Sequence, residues 1–375
     1  MKKIIVAHGH SSIEVLHTLV PLVLTSEEKN EWDFKFVDYK LSNIFKESGD
    51  LLILVRKYHN YEGGEQSVIN EMSKLKKNFK KIIYFDDSAS PSIVFFCIFP
   101  YVDQYWKRAI FLDLNLYKKN FYGNRLYSDY YHKNYGIINQ NEKITDLVFN
   151  FNVDFSKLKI AWNVGVGIYS LNEKSFLDKN YSIMRRIVSV STLFPGFYFI
   201  RKFIKKNIKR MKNELEKKIS FNKKLHKLSA RFSYHNYPNT IGFQRKLFLK
   251  KIEKKQNFLT GYLSRVDFTK ETFETFGVVS PYGWGEICYR DFEACLGGSY
   301  LIKPDMSHLS TWPNIYKKDM YHSLSWDFSD LENIENIFDD VENCKNAVNK
   351  SRLEYLNSLE LSVSRCIKMI ENVLK

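Results

Sequence analysis

Glycine and proline are scarce in this 375-residue chain, at 16 and 8. No low-complexity linker and no internal repeat accompanies them, which excludes a flexible or solenoid architecture. Cysteine is scarcer still. Cys97, Cys288, Cys295, Cys344 and Cys366 are odd in number and scattered, and none forms a C-x-x-C pair. That excludes a disulfide framework and a zinc site, and it predicts reduced, mostly buried thiols in a cytosolic protein. No stretch offers the roughly 18 clean apolar residues a membrane span needs. The N-terminal run Ile4–Ala7 is too short for a secretion signal and is ended by Gly9, His10, Ser11 and Ser12. Acidic residues are the minority, 42 against 57 Lys and Arg.

What is present suits a folded enzyme-sized protein. An apolar content of 44% supports a buried core, and the length suits two domains. The formal charge of +15 is unevenly spread: Arg201 to Arg231 holds thirteen basic residues against Glu214 and Glu216, a local excess of +11. The aromatic-apolar run Leu193 to Ile200 leads into it. That composition fits a basic helical insertion over 193–231 lying on an anionic membrane surface; it also fits a helix with one solvated face. Together these features predict a cytoplasmic chain, peripheral to the inner face of the membrane.

The first half alternates short apolar strands (Ile4–His8, Phe34–Val37, Leu51–Val55, Lys81–Phe85) with amphipathic stretches (Ile13–Leu24, Gln66–Leu75). This is the pattern of parallel βαβ units. A second series is expected to open with the strand Leu158–Trp162. It continues through Phe258–Tyr262 and Phe276–Val279 to a helix over Glu286–Leu296, the turn Gly297-Gly298 and a strand Tyr300–Lys303. From Leu331 the chain reads as helical, with Leu353, Leu356, Leu359, Val363, Ile367 and Ile370 at spacings of three and four. The predicted layout is α/β, with two Rossmann-like domains at 1–155 and 156–340. The segment 341–375 forms a helical strap packing back across both.

In parallel sheets, ligands collect beyond the carboxyl ends of the strands. His8 and His10, and Asp86 and Asp87, stand at such ends, and Asp86, Asp87 and His10 are the candidate catalytic bases. The same Asp-Ser grouping also suits a helix cap. The segment Tyr101–Tyr135, with Asp103, Tyr105, Lys107, Arg108, Arg125, Asp129, Tyr130 and Tyr131, suits either an acceptor surface or a solvated loop.

The densest information lies in SPYGWGEICYRDFEACLGGSYLIKPDMSH, from Ser280 to His308. Gly283, Trp284 and Gly285 lead into the expected helix, where glycine permits close approach of a ligand and a helix start favours phosphate. Glu286, Arg290 and Glu293 are spaced to share one helix face. This run resembles the donor-binding segment of GT-B glycosyltransferases, in a bacterial branch acting in surface-polysaccharide assembly. The resemblance covers about forty residues, carried by Arg290, Phe292, Glu293, Ala294, Gly297 and Gly298. It implies a nucleotide-sugar donor, with Glu293 on the nucleotide ribose. The family's earlier Glu falls at Gly285 here, with Glu286 one residue away.

The resemblance also implies a basic residue on the diphosphate, for which Arg245 and Arg265 are the candidates; Lys303, Asp305 and His308, at the end of the next strand, are expected to line the same cleft. The acceptor implied is a glycan or lipid-linked glycan. No metal or other cofactor is expected. The rival readings are a nucleic-acid-binding protein and a GT-B-shaped protein that binds without turnover. The first has no zinc spacing, no RNP signature and no helix-turn-helix to support it, so no nucleic-acid partner is expected.

Overall fold

The computed structural model describes residues 1–9, 17–39, 43–55, 64–140, 153–171 and 198–375. Its first half builds a six-stranded sheet from β1 (Lys2–His8), β2 (Trp32–Asp38), β3 (Gly49–Val55), β4 (Phe79–Asp86), β5 (Gln104–Lys107) and β7 (Leu158–Ile160). The order is β2-β1-β3-β4-β5-β7 and every pairing is parallel. Strands buried on both faces read as unbroken apolar runs, and Ile4–Ala7, Leu51–Val55 and Ile82–Phe85 all have 0% exposure. Helices α1 (Val20–Glu28) and α2 (Gly64–Asn78) cover the sheet.

The expected strand at Leu158 does form, but it closes the first sheet beside β5 instead of opening the second. The first sheet therefore reaches past residue 156. The expected helix at Ile13 lies partly outside the described residues, and α1 runs on to Glu28.

A second parallel sheet follows, in the order β13-β11-β10-β8-β9. Its strands are β8 (Leu225–Ser229), β9 (Phe258–Leu259), β10 (Thr275–Val279), β11 (Tyr300–Pro304) and β13 (His322–Leu324). Residues 193–197 of the expected basic insertion lie outside the described residues; the rest holds α4 (Tyr198–Glu216) and a short 3-10 turn, Phe221–Lys223, and β8 is already part of this sheet. Helices α5 (Asn239–Ile252), α6 (Arg265–Glu274) and α7 (Tyr289–Gly297) complete the unit. Gly298 ends α7 at φ 65°, a left-handed position that suits glycine.

Three features join the halves. One is a two-stranded antiparallel ladder between β6 (Ala109–Phe111) and β12 (Leu309–Thr311), so each half contributes one strand. Another is α3 (Leu126–Tyr135), whose Tyr131 and Tyr135 rings pack on Phe243 of α5 at 5.8 and 4.9 Å. The last is α8 (Val341–Leu374), the strap expected from the sequence. Arg365 donates to the carbonyls of Ile160 and Ala161 at 2.6 and 3.2 Å. Arg352 donates to those of Cys295 and Leu296 at 2.8 and 3.0 Å. The buried stripe of α8 runs through Tyr355, Leu359, Cys366 and Ile370, while Leu353 is 58% exposed and lies off it.

The architecture is thus the α/β layout called GT-B: two Rossmann-like sheets facing across a cleft, with a C-terminal helix returning over the junction. No helix among the described residues is long and apolar enough to cross a membrane.

Candidate active site

A cleft of about 1560 Å³ opens between the two sheets. Its walls are the segments that leave the carboxyl ends of β4, β5, β8, β9 and β10, where parallel sheets gather their ligands. Six arginines line it, Arg108, Arg125, Arg231, Arg245, Arg265 and Arg290, against three acids, Asp87, Glu253 and Glu293.

These arginines alternate with aromatic rings along one wall. The Arg290 guanidinium lies 5.4 Å from the Phe268 ring and 5.9 Å from Phe232. Arg245 stands 5.8 Å from the other side of this series, over Phe232, and 4.3 Å over Tyr237. Tyr237 is 5.8 Å from Trp284, and Trp284 is capped at 5.5 Å by Arg125 from the first half. Cation–ring contact fixes these guanidiniums without neutralising them.

The carboxylates are distributed unequally. Arg231 is held by Glu271 (Nη2–Oε2 2.7 Å), Arg265 by Glu293, and Arg108 by Asp87 at 3.3 Å. Arg245 and Arg290 have no carboxylate within salt-bridge distance among the described residues. Arg245 spends Nε and Nη1 on the carbonyls of Tyr282 and Ser233, both at 2.8 Å. Arg290 gives Nη2 to the Arg231 carbonyl at 2.6 Å, while its Nε is buried without a hydrogen bond. Burial, and then the neighbouring Arg245 charge, holds the Arg290 pKa below the usual guanidinium value. Two adjacent cations of this kind form a site for a polyanion.

Of the residues singled out from the sequence, the structure brings Asp87, Gly283, Trp284, Gly285, Arg245, Arg265, Arg290 and Glu293 into the cleft lining. Asp87 accepts on Oδ2 from Thr18 at 3.1 Å and from Arg108. Its Oδ1 takes no hydrogen bond among the described residues. Gly285 is required by contact: a Cβ there would lie 1.9 Å from the Ala89 carbonyl oxygen.

Five others, Asp86, Glu286, Lys303, Asp305 and His308, lie outside the lining, and His10 lies outside the described residues. Asp86 has 0% exposure because the β4–β5 register sets it opposite Lys107. Its carboxylate is consumed by Lys107 at 2.9 Å, Tyr105 at 2.7 Å and the Ser88 amide at 2.9 Å. Lys303 is buried in an ion pair with Asp291 at 3.2 Å. Asp305 accepts from Ser307 at 2.5 Å and Ser323 at 3.2 Å.

Glu286 does not share a helix face with Arg290 and Glu293. Asp291 accepts from the Cys288 amide at 2.9 Å, which starts α7 at Tyr289 and leaves Glu286 in the preceding loop. Its carboxylate is buried without a hydrogen bond, 3.8 Å from His308. The Gly283 amide closes this loop on the Gly285 carbonyl at 2.9 Å, so that N–H is not a free phosphate donor.

The sequence reading missed the wall between Phe232 and Tyr237, and the turn Thr260–Leu263. Both leave the ends of strands, and locating β8 inside the basic stretch would have exposed the first. The turn Trp162–Gly165 packs at the junction and places Val164 in the cleft lining. Asn163 donates to Thr311 at 2.9 Å and to the Pro313 carbonyl at 2.8 Å, and Tyr355 donates to the Gly165 carbonyl at 2.6 Å. Among the described residues, no cluster of three His, Cys, Asp or Glu stands ready to hold a metal ion.

Fold and cleft together define a two-sheet α/β protein with a cationic interdomain cleft. No family model matches the chain, and no curated protein does. Solved structures with a similar course include S. aureus MnaA with UDP: 10% identity, TM-score 0.43, covering 99% of this chain and 96% of that one. Anabaena HepE in complex with UDP has 7% identity and a TM-score of 0.47, over 99% and 100%. A glycosyltransferase from Rickettsia africae has 9% identity and a TM-score of 0.42, over 100% and 99%.

Proposed function

We propose that the protein is a glycosyltransferase that moves a sugar from a nucleotide-sugar donor to a glycan or lipid-linked glycan acceptor in bacterial surface-polysaccharide synthesis. The observation that carries this reading is the pair Arg245 and Arg290, two guanidiniums without carboxylate partners, on the same wall as Glu293 at the carboxyl ends of the second sheet. A nucleoside diphosphate has the matching parts: two adjacent phosphates for the arginines, and ribose hydroxyls for a carboxylate. Glu293 Oε1 is held by Arg265, and Oε2 takes no hydrogen bond among the described residues.

Glycosyl transfer passes through an oxocarbenium-like state. Arg245 and Arg290 would stabilise the charge developing on the leaving diphosphate, and Asp87, across the cleft, would accept the proton of the attacking hydroxyl. The test is a thermal-shift screen of UDP-, GDP-, CMP- and dTDP-sugars with a short RNA as control. Stabilisation by one nucleotide family, lost in Glu293→Ala, supports the reading; a shift with RNA alone defeats it. Nucleotide binding without turnover on any acceptor would leave a binding protein of the same shape.

The membrane part of the reading takes a narrower form. Ile204, Ile208, Met211 and Leu215 of α4 are buried against α1, α7 and α8, so that face is not available for insertion. Lys202, Lys206 and Lys209 remain exposed, while Lys205 is paired with Glu27. Docking on anionic headgroups would be electrostatic and released by salt.

A further inference from the structure

We propose that the Trp284 indole is the platform on which the acceptor sugar ring stacks, presenting one hydroxyl to Asp87. This rests on the glycosyltransferase reading and adds the acceptor's place within it. Trp284 is 53% exposed, a large apolar ring left open inside a cleft, and such exposure marks a binding surface. The ring is nonetheless held in place. Arg125 donates Nε to the Trp284 carbonyl at 3.2 Å and lies 5.5 Å over the ring, and the Tyr237 ring packs beside it at 5.8 Å, tilted by 43°.

Position decides which substrate it meets. Trp284 is at the far end of the cation–aromatic wall from Arg290 and Glu293, with Tyr237 and Arg245 between. Its neighbour Gly285 packs directly on Ala89, as the 1.9 Å approach of a Cβ to that carbonyl shows. Ala89 is two residues from Asp87. The aromatic platform and Asp87, whose Oδ1 takes no hydrogen bond among the described residues, therefore flank one domain contact, Trp284 on the second half and Asp87 on the first. A pyranose offers a flat C–H face to an indole and hydroxyls at its rim, and both halves of that chemistry are provided here.

In the step itself, the acceptor oxygen bonds to the anomeric carbon and its proton passes to the Asp87 carboxylate. The bond from the anomeric carbon to the diphosphate oxygen breaks, and the nucleoside diphosphate leaves with the electron pair.

The experiment is saturation-transfer NMR on the full chain. The probes are the methyl glycosides of glucose, galactose, mannose and N-acetylglucosamine, in the presence of the nucleotide found by thermal shift. Wild type is expected to saturate the ring protons of at least one glycoside. Trp284→Ala should weaken that binding roughly three- to tenfold, the worth of one aromatic stack, and Trp284→Phe should retain it. The nucleotide thermal shift should be unchanged in both variants.

Unchanged saturation in Trp284→Ala would overturn the assignment, as would silence of all four glycosides with wild type. Loss of the nucleotide shift in Trp284→Ala would move the ring to the donor and overturn it equally. Failure of the glycosyltransferase reading is a separate result, visible as no nucleotide shift in wild type.

Discussion

The protein keeps positive charge in two forms, and they differ in residue type, burial and surroundings. On α4 it is mostly lysine, exposed at Lys202, Lys206 and Lys209, with Arg201 and Arg210 beside them. In the cleft it is arginine, with Arg245 4% exposed and locked between rings and carbonyls. A counting argument favours α4, because its charges are crowded into one short run of sequence. The physical argument favours the cleft. A planar guanidinium held by its neighbours loses little further freedom when it binds a phosphate, whereas a solvated lysine is screened and mobile. Charge density along a chain locates a surface; charge without a countercharge in a closed space locates a site.

The sharpest way to break the comparison is to strand a buried charge. Lys107→Met removes the ammonium that lies 2.9 Å from the buried Asp86 carboxylate. It should cost about 3–5 kcal/mol in chemical denaturation, the usual penalty for halving a buried pair. A loss below 1 kcal/mol would mean that the pair contributes little to the stability of the fold. Arg245→Ala should leave stability less affected and remove charge-assisted bonds to a diphosphate. A loss of about 1.5–3 kcal/mol reads as roughly 10- to 150-fold weaker nucleotide affinity by calorimetry.

Lys224, from the same basic run as the α4 lysines, tests the role of burial. Its ammonium donates to the Phe273 and Gly297 carbonyls and to Ser299 at 2.8, 2.9 and 3.2 Å. Burial, and then the Arg352 charge, lowers its pKa to about 7 from 10.5. Between those values the unfolded chain binds more protons, so stability rises with pH across that window. The urea midpoint of wild type should climb relative to Lys224→Met from pH 7 to pH 10, and a flat difference would refute it. The smallest effect is expected at the surface. Lys206→Glu with Lys209→Glu should change stability by less than about 0.5 kcal/mol and leave nucleotide affinity untouched. Sedimentation with anionic liposomes should nevertheless disappear; persistence of sedimentation would remove α4 from any membrane role.

How much of this was legible beforehand follows the same division. β1, β3 and β4 are unbroken apolar runs, so the first sheet and its carboxyl ends could be read directly. β5 is Gln104-Tyr105-Trp106-Lys107 and β8 is Leu225-His226-Lys227-Leu228-Ser229. Both carry polar residues at a strand edge or end, and they passed for a loop and part of a basic helix. The loop after β8 and its half of the cleft wall were lost with it.

Glu293 stood in a recognisable run, but Arg231, Arg245, Arg265 and Arg290 converge from α5, α6, α7 and the end of β8, and no linear spacing records that convergence. Glu286 was misplaced by a local detail. Asp291, three residues after Cys288, caps the helix, and three residues of loop follow Gly285 before α7 begins. Asp86 and Asp87 are neighbours with opposite fates, because alternate residues at a strand end point to opposite sides.

The ladder between β6 and β12 sets a timetable for biosynthesis. Ile110 pairs with Ser310, 200 positions later. At ribosomal rates of about 5–20 residues per second, β6 emerges roughly 10–40 s before its partner exists. The first half thus leaves the ribosome with an open strand edge that only the second half can close. Each half is the other's missing strand, so gene fragments split between residues 171 and 198 should yield aggregation-prone pieces when made alone and a folded pair when made together.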